Sequence, residues 1–135
     1  ILIDEGRYIM ESMIKDIRMG YKFDDNINNR TQINFTRYNG KYGRYCLANK
    51  EGVCNQSENY LAGNKDTEVV TDNQVISSEK VRITNLEFYL NKASQPYVTV
   101  ILVLEPRNYR GTKPSLRLQN TVSQRCPRTS STCAE

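Results

Sequence analysis

The sequence predicts an α+β domain in which one long N-terminal amphipathic helix is packed across an antiparallel β-sheet of about four strands. Three observations carry this expectation. In residues 1–20, ILIDEGRYIMESMIKDIRMG, Ile3, Ile9, Met10, Met13, Ile14 and Ile17 recur mostly at steps of three and four, the period of a helix with one apolar stripe. Residues 81–125 alternate instead: Val81 and Ile83, then Leu86, Phe88 and Leu90, the β-branched run YVTVILVLE, and finally Leu116, Leu118 and Val122. That is the pattern of strands with one apolar face. A single amphipathic helix is then available to cover that face. At 135 residues the chain fits one domain with a core of its own.

The helix comes first. Glu11, Lys15, Asp16 and Arg18 fall opposite the apolar stripe, Glu11 and Lys15 stand four apart in the favourable order, and Gly20 is placed to end the helix. Gly6 is its one poor helix former, at a cost of about 1 kcal/mol against alanine. No Ser, Thr, Asp or Asn stands ahead of the pattern as an N-cap, so the first turn reads as the interior of a longer helix.

After Gly20 the period changes. YKFDDNINN reads as a polar connection, and TQINFTRY, with Ile33 and Phe35 alternating against polar neighbours, as a first strand. Residues 39–63 are rich in Gly, Asn, Tyr and Lys and read as an irregular surface loop with a short strand at GRYCL. TEVVTDNQVI (67–76) adds a further strand. VRITNLEFYL slips by one residue near Thr84 and Asn85, which fits a β-bulge. NKASQP breaks the pattern before YVTVILVLE, making a hairpin, and SLRLQNTVSQ is a third strand with one wet face. The organisation expected is a helical stem at 1–20, a variable loop and strand region at 21–80, antiparallel strands at 81–125 and a disulfide-closed tail at 126–135.

Cys46, Cys54, Cys126 and Cys133 form two pairs of short separation. An even count in a small domain favours disulfides in an oxidising compartment. Loop closure favours near neighbours, so the preferred pairings are Cys46 with Cys54 and Cys126 with Cys133; four buried thiols are the alternative. A zinc site fits less well, because neither pair has tight ligand spacing and the chain has no histidine.

The absence of histidine also removes Ser-His-Asp and Cys-His arrangements and the commonest general acid/base. The seven glycines are scattered and form no phosphate loop. Asp24 and Asp25 are adjacent carboxylates in a polar connection, which reads as a solvated turn. No enzymatic role, cofactor or metal is expected. The net charge of +4 lies wholly in residues 105–135, where Arg107, Arg110, Lys113, Arg117, Arg125 and Arg128 face only Glu105 and Glu135. That excess, with the Tyr-rich stretch RYNGKYGRY (37–45), supports a second reading: a secreted module that binds DNA or surface polymers.

The segments RYIMESMIKDIRMG (7–20) and VRITNLEFYL…QPYVTVILVLE…SLRLQNTVSQR (81–125) resemble the soluble part of type IV pilin-like proteins, most closely the minor pilins and the pseudopilins of type II secretion. The resemblance covers both ends of the chain and leaves residues 21–80 unaligned. It implies a pilin-like fold and a structural subunit of a bacterial filament, with other pilin or pseudopilin subunits as partners. It implies anchoring in the inner membrane as a precursor, through an apolar half-helix ahead of Ile1, and a periplasmic or extracellular filament afterwards. Assembly would run through Ile9, Met10, Met13, Ile14 and Ile17 on the helix, and nucleic acid is a minor partner class.

Overall fold

The computed structural model describes residues 2–26, 29–54, 59–64, 73–91, 96–108 and 110–123. Helix α1 (Leu2–Arg18) is followed by strands β1 (Tyr21–Asn26), β2 (Asn29–Thr36), β3 (Tyr42–Ala48), β4 (Tyr60–Asn64), β5 (Asn73–Val75), β6 (Val81–Asn91), β7 (Tyr97–Pro106) and β8 (Leu116–Ser123). The strands form two sheets, a five-stranded one in the order β1-β2-β3-β4-β5 and a three-stranded one in the order β6-β7-β8, antiparallel throughout.

This overturns the α+β, pilin-like architecture expected from the sequence. The molecule is mostly β, its helix is 17 residues long, and a second, five-stranded sheet occupies the region read as a variable stretch of loop and strand. The reason is local. YKFDDN, read as a polar connection, pairs with β2 through two register shifts, and Lys22 there takes a left-handed conformation (φ 53°). Such a strand is held by backbone hydrogen bonds and by Tyr21 and Phe23, not by a clean alternation. YLAGN, lost in the supposed loop, is buried along its whole length as β4, between β3 and β5, so no polar face marks it. The strand expected at 67–76 is described only as the three residues of β5.

The three-stranded sheet follows the alternation directly. Val81, Ile83, Leu86 and Phe88 on β6, and Val98, Val100, Leu102 and Leu104 on β7, point inward and are at most 1% exposed. The β6–β7 register shifts between Ile83 and Asn85, so that Leu86 and Phe88 stay on the core side after the phase slip. Helix α1 lies over the inner face of β7 and β8. Its stripe of Ile9, Met10, Met13, Ile14 and Ile17 is between 0% and 5% exposed, each side chain stabilising the fold by roughly 1.5–3 kcal/mol through burial.

Gly6, a weakness when the helix is considered alone, permits this approach. A Cβ there would stand 3.0 Å from Leu116, 3.1 Å from Leu118 and 3.3 Å from Leu104. The five-stranded sheet meets the other at β6, against which β1, β2 and β3 pack. One apolar core therefore runs from α1 and β6–β8 into Phe23, Ile33, Phe35, Tyr45 and Leu61 of the five-stranded sheet.

Candidate functional site

Two acidic residues of α1 turn away from the apolar stripe and tie the helix to the rest of the chain. Glu5 and Asp16 are eleven residues apart, three turns, and so share one side of the helix to within about 20°. The Glu5 carboxylate accepts from Ser78 twice, from its backbone N–H at 2.8 Å and its hydroxyl at 2.7 Å, fixing the segment between β5 and β6. Asp16 reaches the five-stranded sheet. The Arg37 guanidinium donates from Nε to Asp16 Oδ1 and Oδ2 at 3.2 and 3.1 Å and from Nη2 to Oδ2 at 3.1 Å, and the Tyr45 hydroxyl donates to Oδ2 at 2.7 Å.

The cluster is closed by backbone. Arg37 Nη1 donates to Tyr42 O at 2.7 Å and Nη2 to Asn64 O at 3.2 Å. Asn64 in turn donates to Tyr42 O at 2.8 Å and accepts from Arg44 N–H, also at 2.8 Å. The side-chain polar groups of Asp16, Arg37, Tyr45 and Asn64 thus each have a partner of opposite sense. Burial disfavours the Arg37 cation, but hydrogen bonding and attraction from Asp16 outweigh it and hold the guanidinium more firmly protonated than usual. Burial, with Asp16 adjacent, pushes the Tyr45 phenol well above its ordinary value.

The folded state thus favours protonated Tyr45. That contribution is complete below the unfolded phenol pKa of about 10 and is lost as pH rises toward the higher folded value. In an alkaline titration followed at 295 nm, we expect Tyr45 to ionise only as the protein unfolds, and the Tyr45→Phe variant to lose that late step.

Sequence reasoning missed this cluster. Asp16 reads as part of a wet helix face, and RYNGKYGRY reads as one exposed aromatic loop. The structure divides that loop: Arg37 and Tyr45 are buried at 8% and 6% exposure, while Tyr38 and Tyr42 stand out at 72% and 53%. The available signal was an acid near the C-terminal end of the helix, on its polar side, together with alternation in β2 and β3, which puts Phe35 and Tyr45 on the core side.

The five helix residues expected to drive assembly, Ile9, Met10, Met13, Ile14 and Ile17, are buried in the domain's own core. The large apolar side chains that α1 and its end leave exposed are Ile3, Tyr8 and Met19.

Cys46 and Cys54 form a disulfide across the turn that follows β3. Asn49 shapes this turn, its side-chain oxygen accepting from Glu51 and Val53 N–H at 3.0 and 2.9 Å. Cys46 is fully buried against Ala48 and Ala62. Cys126 and Cys133 lie outside the described residues. For a closed loop of this length, replacing both Cys46 and Cys54 by alanine is expected to cost about 2–3 kcal/mol, read as a lower urea midpoint with the fold retained.

The basic C-terminal quarter is partly occupied by internal contacts. Arg107 stacks over the Tyr60 ring at 4.3 Å and Lys113 stands 3.8 Å from Glu105; Arg125 and Arg128 lie outside the described residues. On the outer face of the three-stranded sheet, Tyr89 and then Asn85 donate to Glu87 and hold its carboxyl below the usual range, with Arg30 over the Tyr89 ring at 4.5 Å.

No protein-family model, curated protein or solved structure matches the chain. Among the described residues no group of three or more His, Cys, Asp or Glu is placed to hold a metal ion, and no helix is long and apolar enough to cross a membrane. What the Asp16–Arg37–Tyr45 cluster can do is mechanical. It couples the helix to one sheet by charge and hydrogen bonds while the apolar stripe couples it to the other.

Proposed function

We propose that the chain is the head of a non-catalytic filament subunit, a minor pilin or pseudopilin of a bacterial type IV pilus or type II secretion-like system. What supports the reading is one observation: the two segments that carry the resemblance, 7–20 and 81–125, are distant in sequence yet pack on each other as α1 over β7 and β8. The reading does not need the single-sheet α+β architecture, which the second sheet overturns. It does change the helix's part in assembly. With the inner stripe committed to its own head, contact with other subunits falls to the outer stripe, where Ile3 and Tyr8 stand among Asp4, Arg7 and Glu11.

On this reading the precursor sits in the inner membrane and the assembled head is periplasmic or extracellular, where the Cys46–Cys54 disulfide is stable. The alternative of a polymer-binding module draws less support. Arg37 and Tyr45 of the Tyr-rich loop serve Asp16, and Arg107 serves Tyr60.

The residues encoded immediately before Ile1 test the proposal. A run of about twenty apolar residues continuing the helical pattern is expected. A polar segment there, or an apolar one ending in a small-residue cleavage site directly before Ile1, overturns it.

A further inference from the structure

The sheet edges of this molecule are not alike. β1 carries two register shifts and left-handed Lys22, and β5 is three residues long. The free side of β6 is met near its start by Asn59, whose carbonyl accepts from Ile83 N–H and whose side-chain amide donates to Ile83 O, both at 2.8 Å. These are the devices that keep an edge from pairing with another chain. β8 has none of them. Its eight residues run in unbroken register with β7 from Leu116 to Ser123, without proline or bulge, and among the described residues no strand pairs its other side.

Beside that edge runs a shallow groove between α1 and β8, lined by Glu11, Ile14, Lys15, Arg18 and Asn120. Half-buried Leu116 and Leu118 continue its apolar floor. Lys15 and Arg18 stand exposed on the helix rim, two cations against the single carboxylate of Glu11, and Arg117 stands exposed on the outer face of the strand, where Glu87 also lies.

We propose that β8 accepts an extended segment of a partner protein as a fourth strand of the β6-β7-β8 sheet, a segment apolar toward Ile14 and Leu118 and acidic where it passes Lys15, Arg18 and Arg117. Backbone pairing supplies the affinity, and alternate side chains supply the selectivity. Charge selects an acidic partner over a second copy of this chain, because two copies would bring the Lys15 and Arg18 pairs together, four cations against two carboxylates along one seam. The inference goes beyond the filament reading and needs no residue ahead of Ile1, so the two can fail separately.

The test uses the whole 15N-labelled chain and two blocked octapeptides, TEVEEEVT and its lysine counterpart TKVKKKVT, in which one central charge shares the valine side that faces the helix rim and the others face outward. The glutamate peptide is expected to shift the amides of residues 116–123 saturably and to bind more weakly as salt is raised. The double variant Lys15→Glu, Arg18→Glu should bind it about tenfold less well and accept the lysine peptide instead, the same spectra reporting that the variant is folded. Three results overturn the proposal: no shift in residues 116–123 with the glutamate peptide, equal binding of both peptides, or self-association of the free chain through β8.

Discussion

Replacing Asp16 by alanine is expected to lower the free energy of unfolding by about 3 kcal/mol, among the largest effects of any single polar substitution in the chain. The Arg37 side chain is 10% exposed and keeps its two carbonyl acceptors, Tyr42 O and Asn64 O, but loses its counter-charge. Removing one partner of a buried pair costs about 3–5 kcal/mol because the other charge stays behind. The Asp16 side chain is 24% exposed, so some water reaches the site and the lower end applies. Tyr45 loses its acceptor as well, a loss of about 1 kcal/mol that lies within that figure. The double variant Asp16→Leu, Arg37→Met should recover most of the loss, since it leaves no charge stranded. Urea unfolding followed by far-ultraviolet circular dichroism reads both. If Asp16→Ala costs under about 1 kcal/mol, the cluster behaves as a surface ion pair and the helix is held by its apolar stripe alone.

The second large effect is Phe88→Ala, expected to cost about 4 kcal/mol. Phe88 is fully buried on β6, opposite Val100, where the three-stranded sheet meets β2 and its neighbours. Truncating it opens a cavity at the seam between the sheets, which neither sheet can fill by moving alone. Tyr89→Ala, one residue on and facing outward, removes a side chain of similar size from a half-exposed position and should cost far less. A midpoint shift at unchanged denaturant dependence would report lost packing; a changed dependence would report that the sheets no longer unfold together.

How much of this was legible in the sequence depends on which force holds each element. α1 and β6–β8 are held by burial, which writes itself as periodicity: the spacing of Ile9, Met13 and Ile17, and the alternation of Val98, Val100, Leu102 and Leu104. Both appear in the chain as plain patterns. The five-stranded sheet is held differently. β1 is polar and twice out of register, β4 is buried on both faces, and β5 is three residues long, so none shows the alternation that marks a strand. The Asp16 cluster was hidden for a related reason. Its members lie at 16, 37, 45 and 64, and a charge on the polar side of a helix carries no sign of what stands across from it. Gly6 was read as a local weakness because its use, contact with Leu116 and Leu118 some 110 residues later, is tertiary.

These elements combine into one claim, that α1 clasps two sheets into a single cooperative unit, gripping one by its apolar stripe and the other through Asp16. Native-state hydrogen exchange in rising denaturant tests it directly, by comparing the amides of Ile33, Tyr45 and Leu61 in the five-stranded sheet with those of Phe88, Val100 and Leu102 in the other. The account predicts that both sets merge on one unfolding free energy in the wild type, and that in Asp16→Ala the five-stranded sheet opens first. Separate opening of the two sheets in the wild-type protein, or loss of Asp16 that leaves their exchange merged and undiminished, would contradict it.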